Sequence, residues 1–232
     1  MKFIIEFGVN HLGKISLVKK LLDFFLKSSF KYCTIMLQSE NFYKKNPNFH
    51  ISLENMKNII SKVHKQNKKI GLAVCDEKSF KNFSTLNFDF YKLLSVANVN
   101  RKLSLLLIKK NKHIYISTGK TNDSLIRKSI KIFRNYKKIT LLHTPITYKE
   151  HKLNFKTIQK FRSIYNCDVG YSNHSNNFNS LYALSYYDPS CIFLYAKHAD
   201  KLKIQFPDNN HAIPIEDLEK IKLNYFKCLK CH

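Results

Sequence analysis

The stretch DVGYSNHS, residues 168–175, is a short apolar run that ends in polar side chains. Val169 and Tyr171 give it the character of a β-strand, and Ser172 and His174 follow two residues apart. Runs of about five to seven apolar or β-branched residues recur along the whole chain. The eight runs are KFIIEFGV, YCTIMLQ, KKIGLAV, FDFYKLLS, KHIYIST, KKITLLHT, CDVGYS and SCIFLYAKH. Eight strand-like runs with helical patterns between them predict a (β/α)8 TIM barrel, an α/β fold.

Apolar residues with helical spacing separate these runs. The clearest sets are Ile15, Val18, Leu22 and Phe25, then Met56, Ile59, Ile60 and Val63 after a Ser52 cap, then Ile126, Ile130 and Phe133. An open doubly wound sheet is the alternative, but it normally carries a Gly-rich phosphate loop after its first strand, and GVNHLG lacks that spacing. Residues 38–50 are predicted to form a long polar connection on the active face of the barrel.

The composition suits one soluble, cytoplasmic domain over residues 1–232. Six cysteines are scattered through the chain, no signal peptide is apparent, and the longest apolar runs are too short to span a membrane. The net charge of +24 comes from 40 basic and 16 acidic residues spread along the chain. We interpret this charge as compositional drift, with polyanion binding as the alternative, and we expect no nucleic-acid partner.

Catalytic groups of such barrels lie at the carboxyl ends of the strands. We single out His174 and His198, because adjacent strands would bring the two imidazoles together beside Glu6. Two neutral imidazoles with a carboxylate nearby suit a divalent metal ion. Two alternatives stay open: histidines hydrogen-bonded to backbone, and acid/base use of one histidine near neutral pH.

The tail CLKCH, residues 228–232, matches the attachment pattern of c-type haem. It lies at the extreme end of the sequence and has no following segment to cover a haem. We favour an ordinary tail, with a metal or redox role and haem attachment as weaker alternatives.

The ordered motifs of the chain resemble the N-acetylneuraminate (sialic acid) synthase family, which also makes legionaminic and pseudaminic acids. The resemblance covers residues 4–217 and is distributed over eight βα units. It is carried by EFGVNHLG, YKLLS, YISTG, LLHTPITY, VGYSNHS, LYAKH and PDNNHAI.

This resemblance implies that phosphoenolpyruvate is condensed with the open-chain aldehyde of an N-acylated hexosamine. His174 and His198 would hold Mn²⁺ or Mg²⁺, and Glu6 would act in the catalytic centre with them. The resemblance assigns phosphoenolpyruvate to Lys92, Ser95 and Ser172, and the sugar to Glu6, Gln38 and Tyr148. It also implies a homodimer, and we expect the family's C-terminal antifreeze-like domain to be absent here.

The chain departs from the family pattern at several positions. Met36 stands where the family has a phosphate-binding lysine, Ala73 where it has a threonine, and Asn173 where it has an aspartate. Val96 and Ala97 replace a glycine and a catalytic glutamate, and loss of such a carboxylate typically costs about 10²–10⁴-fold in rate. The alternative function is therefore a catalytically impaired, synthase-like barrel that serves as a binding or regulatory protein.

Overall fold

The strands close into a ring. The computed structural model describes residues 1–198 and 204–231, and within this part eight parallel strands each pair with the next, while the first also pairs with the eighth. The (β/α)8 barrel is confirmed, and each predicted run contains a strand. The strands are β1 Lys2–Glu6, β2 Tyr32–Met36, β3 Lys69–Val74, β4 Phe90–Leu93, β5 His113–Ser117, β6 Ile139–His143, β7 Asp168–Ser172 and β8 Cys191–Lys197.

Helices cover the outside of the ring. They are α1 Ile15–Lys27, α2 Glu40–Lys45, α3 Leu53–Lys65, α4 Glu77–Phe83, α5 Arg101–Lys109, α6 Asp123–Phe133, α7 Lys156–Tyr165, α8 Ser180–Leu184 and α9 Leu218–Leu229. The three helices predicted from spacing, α1, α3 and α6, are confirmed. Ser52 caps α3, because its hydroxyl accepts a hydrogen bond from the Asn55 amide at 3.2 Å.

The polar connection predicted at residues 38–50 contains a short helix and a 3₁₀ turn, which the sequence pattern did not predict. Ser39 accepts from the Phe42 amide and starts the short helix α2, and a 3₁₀ turn follows at Pro47–Phe49. A helix of only six residues contains too few apolar positions to show a helical period in the sequence. None of the helices in the described ranges is long and apolar enough to cross a membrane.

The barrel interior is layered. Its lower layer is apolar and consists of Ile4, Phe90, Tyr115, Leu142, Cys191 and Phe193. Gly71 on β3 leaves the space that the Phe90 ring occupies. A second, smaller apolar group lies towards the carboxyl ends of the strands and contains Val9, Met36, Ala73, Tyr195 and Ala212. Polar side chains of β1, β4 and β7 lie between these two groups.

Candidate active site

A buried ion pair occupies the middle of the barrel. Glu6 at the end of β1 and Lys92 on β4 are 0% and 1% exposed, and Lys92 Nζ donates to Glu6 Oε2 at 2.6 Å. Lys92 Nζ also donates to Ser172 Oγ at 3.1 Å and lies 4.6 Å from the centre of the Phe193 ring. The structure therefore brings three of the predicted site residues, Glu6, Lys92 and Ser172, into direct contact.

His174 lies above this pair, beside two aromatic rings. Its Nδ1 donates to the Ser172 carbonyl at 3.3 Å, and its ring centre is 5.2 Å from Tyr195 and 4.8 Å from His211. Burial, followed by the neighbouring His211 and Lys92 side chains, lowers the pKa of His174 to about 3. Burial, with Lys92, also lowers the pKa of His211 to about 4. Both imidazoles are therefore neutral at physiological pH, which is the form that binds metal ions.

The segment after β8 folds back over the mouth of the barrel. Asn10 fastens it, because its side chain donates to the Ala196 carbonyl at 2.9 Å and accepts from the Asp208 amide at 3.1 Å. Gly8, with φ of +55°, lets Asp208 Oδ2 occupy the place of a β-carbon. A short strand, β9 Ile213–Pro214, then pairs with β8.

Asp208 adds a second carboxyl group to the centre. Burial and the charge of Glu6 raise the pKa of Asp208 to about 6. Its Oδ1 lies 3.8 Å from Nε2 of His211, and its Oδ2 is buried without a hydrogen-bond partner in the described part of the chain. Burial, with the Glu6 and Asp208 carboxylates, raises the pKa of Tyr195 well above its usual range.

Sequence reasoning missed Asp208, His211 and Tyr195 as site residues. The segment PDNNHAI was matched to the family, but nothing in its pattern shows that it folds over the barrel mouth. Tyr195 is part of an apolar run, and the pattern of that run predicts a core residue.

The structure does not assemble His174 and His198 as a pair. Side chains of β8 alternate, so that Phe193 and Tyr195 face the barrel interior while Ile192, Leu194 and Ala196 pack with the helices. His198 continues the helix-facing side: its Nε2 donates to the Leu17 carbonyl of α1 at 3.0 Å, and its ring lies 5.8 Å from Phe206. In this arrangement His198 contacts α1 and Phe206, and the predicted sharing of one metal ion by His174 and His198 stays a prediction, as does metal binding itself.

The other predicted site residues lie beyond the carboxyl ends of their strands, without hydrogen bonds to the ion pair. Gln38 follows β2, and its amide nitrogen lies 3.4 Å from the Met36 sulfur. Ser95 begins a 3₁₀ turn after β4 and is half-buried. Tyr148, in the loop after β6, is 49% exposed. Their contacts with substrate stay predictions.

The family departures have distinct places. Met36 and Ala73, where the resemblance implies a lysine and a threonine, belong to the apolar group at the barrel mouth. Ala97 packs in the core between strands and helices, whereas Val96 is 73% exposed.

The described part of the CLKCH tail does not form a metal-binding or haem-binding site. Cys228 is half-buried near the end of α9, Cys231 is exposed, and His232 lies outside the described residues. Across residues 1–198 and 204–231, no three His, Cys, Asp or Glu side chains form a group that could hold a metal ion. Any ion at the barrel mouth would thus have at most two such ligands in this arrangement.

These features define a class of protein, the (β/α)8 barrels with a polar centre at the carboxyl ends of the strands, which is where enzymes of this fold have their active sites. The NeuB family matches residues 21–222, and the chain belongs to that family. An N,N'-diacetyllegionaminic acid synthase from Campylobacter jejuni subsp. jejuni serotype O:2 is 27% identical over 247 residues, which cover 94% of this chain and 73% of that protein.

Solved structures share the fold. The sialic acid synthetase of Leptospira borgpetersenii serovar Hardjo-bovis, in complex with citrate, matches with a TM-score of 0.88 and 19% identity over 99% of this chain and 84% of its own. The spore coat polysaccharide biosynthesis protein spsE of Bacillus subtilis matches with a TM-score of 0.84 and 16% identity over 98% of this chain and 67% of its own. A truncated 3-deoxy-D-arabino-heptulosonate 7-phosphate synthase of Thermotoga maritima has a TM-score of 0.76 and 12% identity, with coverage of 99% and 87%.

Proposed function

We propose that this protein is a nonulosonic acid synthase that condenses phosphoenolpyruvate with an N-acyl hexosamine. The observation that carries the proposal is the contact of Glu6, Lys92 and Ser172, with His174 above them, inside a barrel of the NeuB family. An ammonium group, a hydroxyl and neutral imidazoles in a buried centre suit an anionic substrate that reacts with a carbonyl compound.

Lys92 is the proposed anchor for phosphoenolpyruvate. Its ammonium group has three N–H donors, and Glu6 and Ser172 accept two of them, which leaves one for a substrate oxygen. Ser172 and Ser95 would add hydroxyl donors. Glu6, Gln38 and Tyr148 would contact the sugar.

The proposed reaction has two bond-forming steps. The terminal methylene carbon of phosphoenolpyruvate bonds to the aldehyde carbon of the sugar, and the aldehyde oxygen takes a proton. A water oxygen then bonds to the neighbouring carbon that bears the phosphate ester, the water loses a proton, and the bond between that carbon and the phosphate oxygen breaks. The net change is phosphoenolpyruvate plus aldehyde plus water to the nonulosonic acid and inorganic phosphate.

A divalent cation such as Mn²⁺ or Mg²⁺ would supply a Lewis acid for the aldehyde oxygen. The residues present fit such an ion, because the Ser172 carbonyl holds Nδ1 of His174 and leaves Nε2 available, and Nε2 of His211 is buried without a hydrogen-bond partner in the described ranges. The chain's own groups would orient the substrates and exclude water between them.

A phosphate-release assay tests the proposal. The full chain is incubated with Mn²⁺, phosphoenolpyruvate and a panel of N-acyl hexosamines that includes N-acetylmannosamine. We expect release only when both substrates are present, and a loss of about 10²-fold or more in His174→Ala, because that change removes an imidazole from the centre. The matched control is His151→Ala, an exposed histidine, which should keep wild-type rates.

The second candidate is a barrel that binds these ligands without condensing them. It is supported by Met36 and Ala73, which belong to an apolar group at the barrel mouth where the resemblance implies polar side chains. Binding of phosphoenolpyruvate without phosphate release, across the whole sugar panel, would establish this candidate and reject the synthase.

A further inference from the structure

The arginines of the chain are distributed differently from its lysines. Lysine and arginine together number 40, and four of these residues are arginines: Arg101, Arg127, Arg134 and Arg162. Arg127 lies on α6, Arg134 directly follows that helix, and Arg162 lies in the last turn of α7. Lysine supplies a point charge, whereas arginine presents a planar fork of donors that matches phosphate oxygens. Three of the four arginines on two neighbouring helices therefore indicate a local use for the guanidinium group itself.

A groove between α6 and α7 contains two of these arginines, Arg134 and Arg162. Its volume is about 580 Å³, and sites for small ligands usually have about 300–1,000 Å³. The lining includes Ile139 at the start of β6 and Asp168 at the start of β7. This α6–α7 groove therefore lies at the amino ends of the strands, at the opposite end of the barrel from its polar mouth.

The charged side chains of the α6–α7 groove are mostly positive. Arg134, Lys137 and Arg162 line it together with one carboxylate, Asp168. Among the described residues, the side chains of Arg134 and Lys137 have no hydrogen-bond or ion-pair partner. Arg162 donates one N–H to the Asp188 carbonyl at 2.5 Å, and a guanidinium group has further donors. Guanidinium donors are thus available to an anionic group in the groove.

The positions of Arg134 and Arg162 at helix ends do not explain why they are arginines. A positive charge at the C-terminal end of a helix interacts favourably with the helix dipole, and lysine does this as well as arginine. The last turns of α1, α5 and α9 accordingly carry lysines, namely Lys27, Lys109 and Lys227. The ends of α6 and α7 depart from this pattern where they border the groove.

Two tyrosines give the α6–α7 groove an aromatic side. Tyr136 and Tyr165 both line it and are half-buried. The Tyr136 hydroxyl donates to the Lys112 carbonyl at 2.5 Å, and the Tyr165 ring packs on Phe161 with 5.7 Å between ring centres. Burial raises the pKa of Tyr165 and the charge of Arg127 opposes this, so that the third arginine also lies beside the groove. Held rings of this kind can stack on a planar base.

We propose that the α6–α7 groove binds a nucleoside phosphate, with Arg134 and Arg162 on the phosphate and Tyr136 or Tyr165 against the base. The limited volume of the groove favours a mononucleotide over a strand of nucleic acid. The inference goes beyond the proposed function, because this groove and the barrel mouth lie at opposite ends of the strands.

Isothermal titration calorimetry on the full-length chain tests this site. The buffer contains EDTA and about 150 mM NaCl, which screens general attraction between exposed charges. The ligands are ATP, GTP, CTP and UTP, with inorganic phosphate, ribose 5-phosphate and adenosine as partial ligands. The variants are Arg134→Lys and Arg162→Lys, and the matched control is Arg101→Lys, an exposed arginine that begins α5. All three changes keep the net charge of +24, so that nonspecific binding of anions is the same in each protein.

We expect at least one nucleotide to bind more tightly than any partial ligand. Arg134→Lys and Arg162→Lys should each weaken this binding by about tenfold or more, because lysine cannot reproduce the paired, charge-assisted hydrogen bonds of arginine. Arg101→Lys should stay within about twofold of wild type. Tyr165→Leu should weaken nucleotide binding and leave the binding of inorganic phosphate unchanged, and thermal unfolding checks that each variant is folded.

The absence of nucleotide binding in wild type would overturn the proposal, and so would full nucleotide affinity in Arg134→Lys. Equal affinities for inorganic phosphate and for nucleotides would reject the role of the tyrosines and with it the nucleoside. A single-stranded oligonucleotide that binds when no mononucleotide does would replace the site by a surface for polyanions. None of these results depends on phosphate release from phosphoenolpyruvate, so that the site and the proposed function stand or fall separately.

Discussion

Lys92 and Glu6 show how strongly one residue of the centre depends on another. Both side chains are almost fully buried, and their ion pair of 2.6 Å is supplemented by Ser172. Burial of two charges costs several kcal/mol of desolvation, which the pair offsets only while both partners are present. In the proposed function Lys92 would bind an anionic substrate, and in the free protein Glu6 neutralises its charge.

We expect Lys92→Met to destabilise the protein by about 3–5 kcal/mol, because it leaves the Glu6 carboxylate buried without a partner. The double variant Glu6→Gln/Lys92→Met should recover part of this loss, since no unpaired charge remains. Urea unfolding measures both. Lys160→Met is the control, because it removes an exposed lysine from an exposed pair with Asp123. Equal stability of Lys92→Met and wild type would show that Glu6 is not a buried carboxylate.

At the residue scale, strand alternation explains why three of the predicted site residues meet, while their roles stay predictions. Glu6, Lys92 and Ser172 come from different strands, and each faces inward as the barrel pattern requires. The contact of His198 with the Leu17 carbonyl was not predicted, because the resemblance gave the residue type but not the partner of its side chain. His211 could not be predicted, since the path of a loop is determined by contacts such as Asn10 with Asp208 and not by periodicity.

At the scale of elements, Asp89 joins helix α3 to the sheet at the start of β4. It accepts hydrogen bonds from the Ile70 amide, from Lys69 Nζ and from His64 Nε2, all between 2.8 and 2.9 Å. Burial alone would raise the pKa of Asp89, but these hydrogen bonds outweigh it and hold the pKa below its usual value. The ionised carboxylate therefore stabilises the folded state.

We expect Asp89→Asn to lower the free energy of unfolding at pH 7 by about 1–3 kcal/mol, because it weakens charge-assisted hydrogen bonds. A carboxyl whose folded pKa is lowered contributes stability above its unfolded pKa and loses it as the pH falls through the folded value. The part of the difference that depends on the ionised Asp89 should therefore be present above about pH 5 and shrink below about pH 4. Urea unfolding across this range measures it.

A difference that stays undiminished well below pH 4 would contradict this account. Asp123→Asn, which changes an exposed carboxyl at the first turn of α6, is the control for general effects of acid.

The strands and long helices were predicted well from the sequence, since their apolar residues have clear periods. The short helix α2 was missed, because its start depends on the single Ser39 cap.

At the scale of the whole molecule, closure of the ring creates the centre. Lys92 is 86 positions from Glu6 and 80 from Ser172 along the chain, and the three meet only because β1 pairs with both β2 and β8. Helix α9 supports this closure from outside, since Tyr225 and Phe226 pack on Phe3 of β1 at 5.3 and 5.5 Å between ring centres. The sequence pattern predicts a closed barrel, but not which side chains meet at its centre.

The net charge of +24 acts on the molecule as a whole. Charges of one sign repel one another more in the folded state than in the extended chain, and salt screens them over a Debye length of about 10 Å at 0.1 M. We therefore expect the Tm at pH 7 to rise with NaCl between about 10 and 300 mM, by roughly 2–4 °C for each 1 kcal/mol of relieved repulsion. Differential scanning fluorimetry measures the shift.

The control for this salt effect is the same titration near the sequence pI of about 9.8, where the net charge vanishes. There the dependence of Tm on NaCl should largely disappear, because no excess of one sign remains to be screened. A Tm that falls with salt at pH 7 would mean that attractive pairs such as Lys69 with Asp89 outweigh the general repulsion. The excess of lysine would then not lower the stability of the fold, and polyanion binding would become the favoured explanation of the net charge.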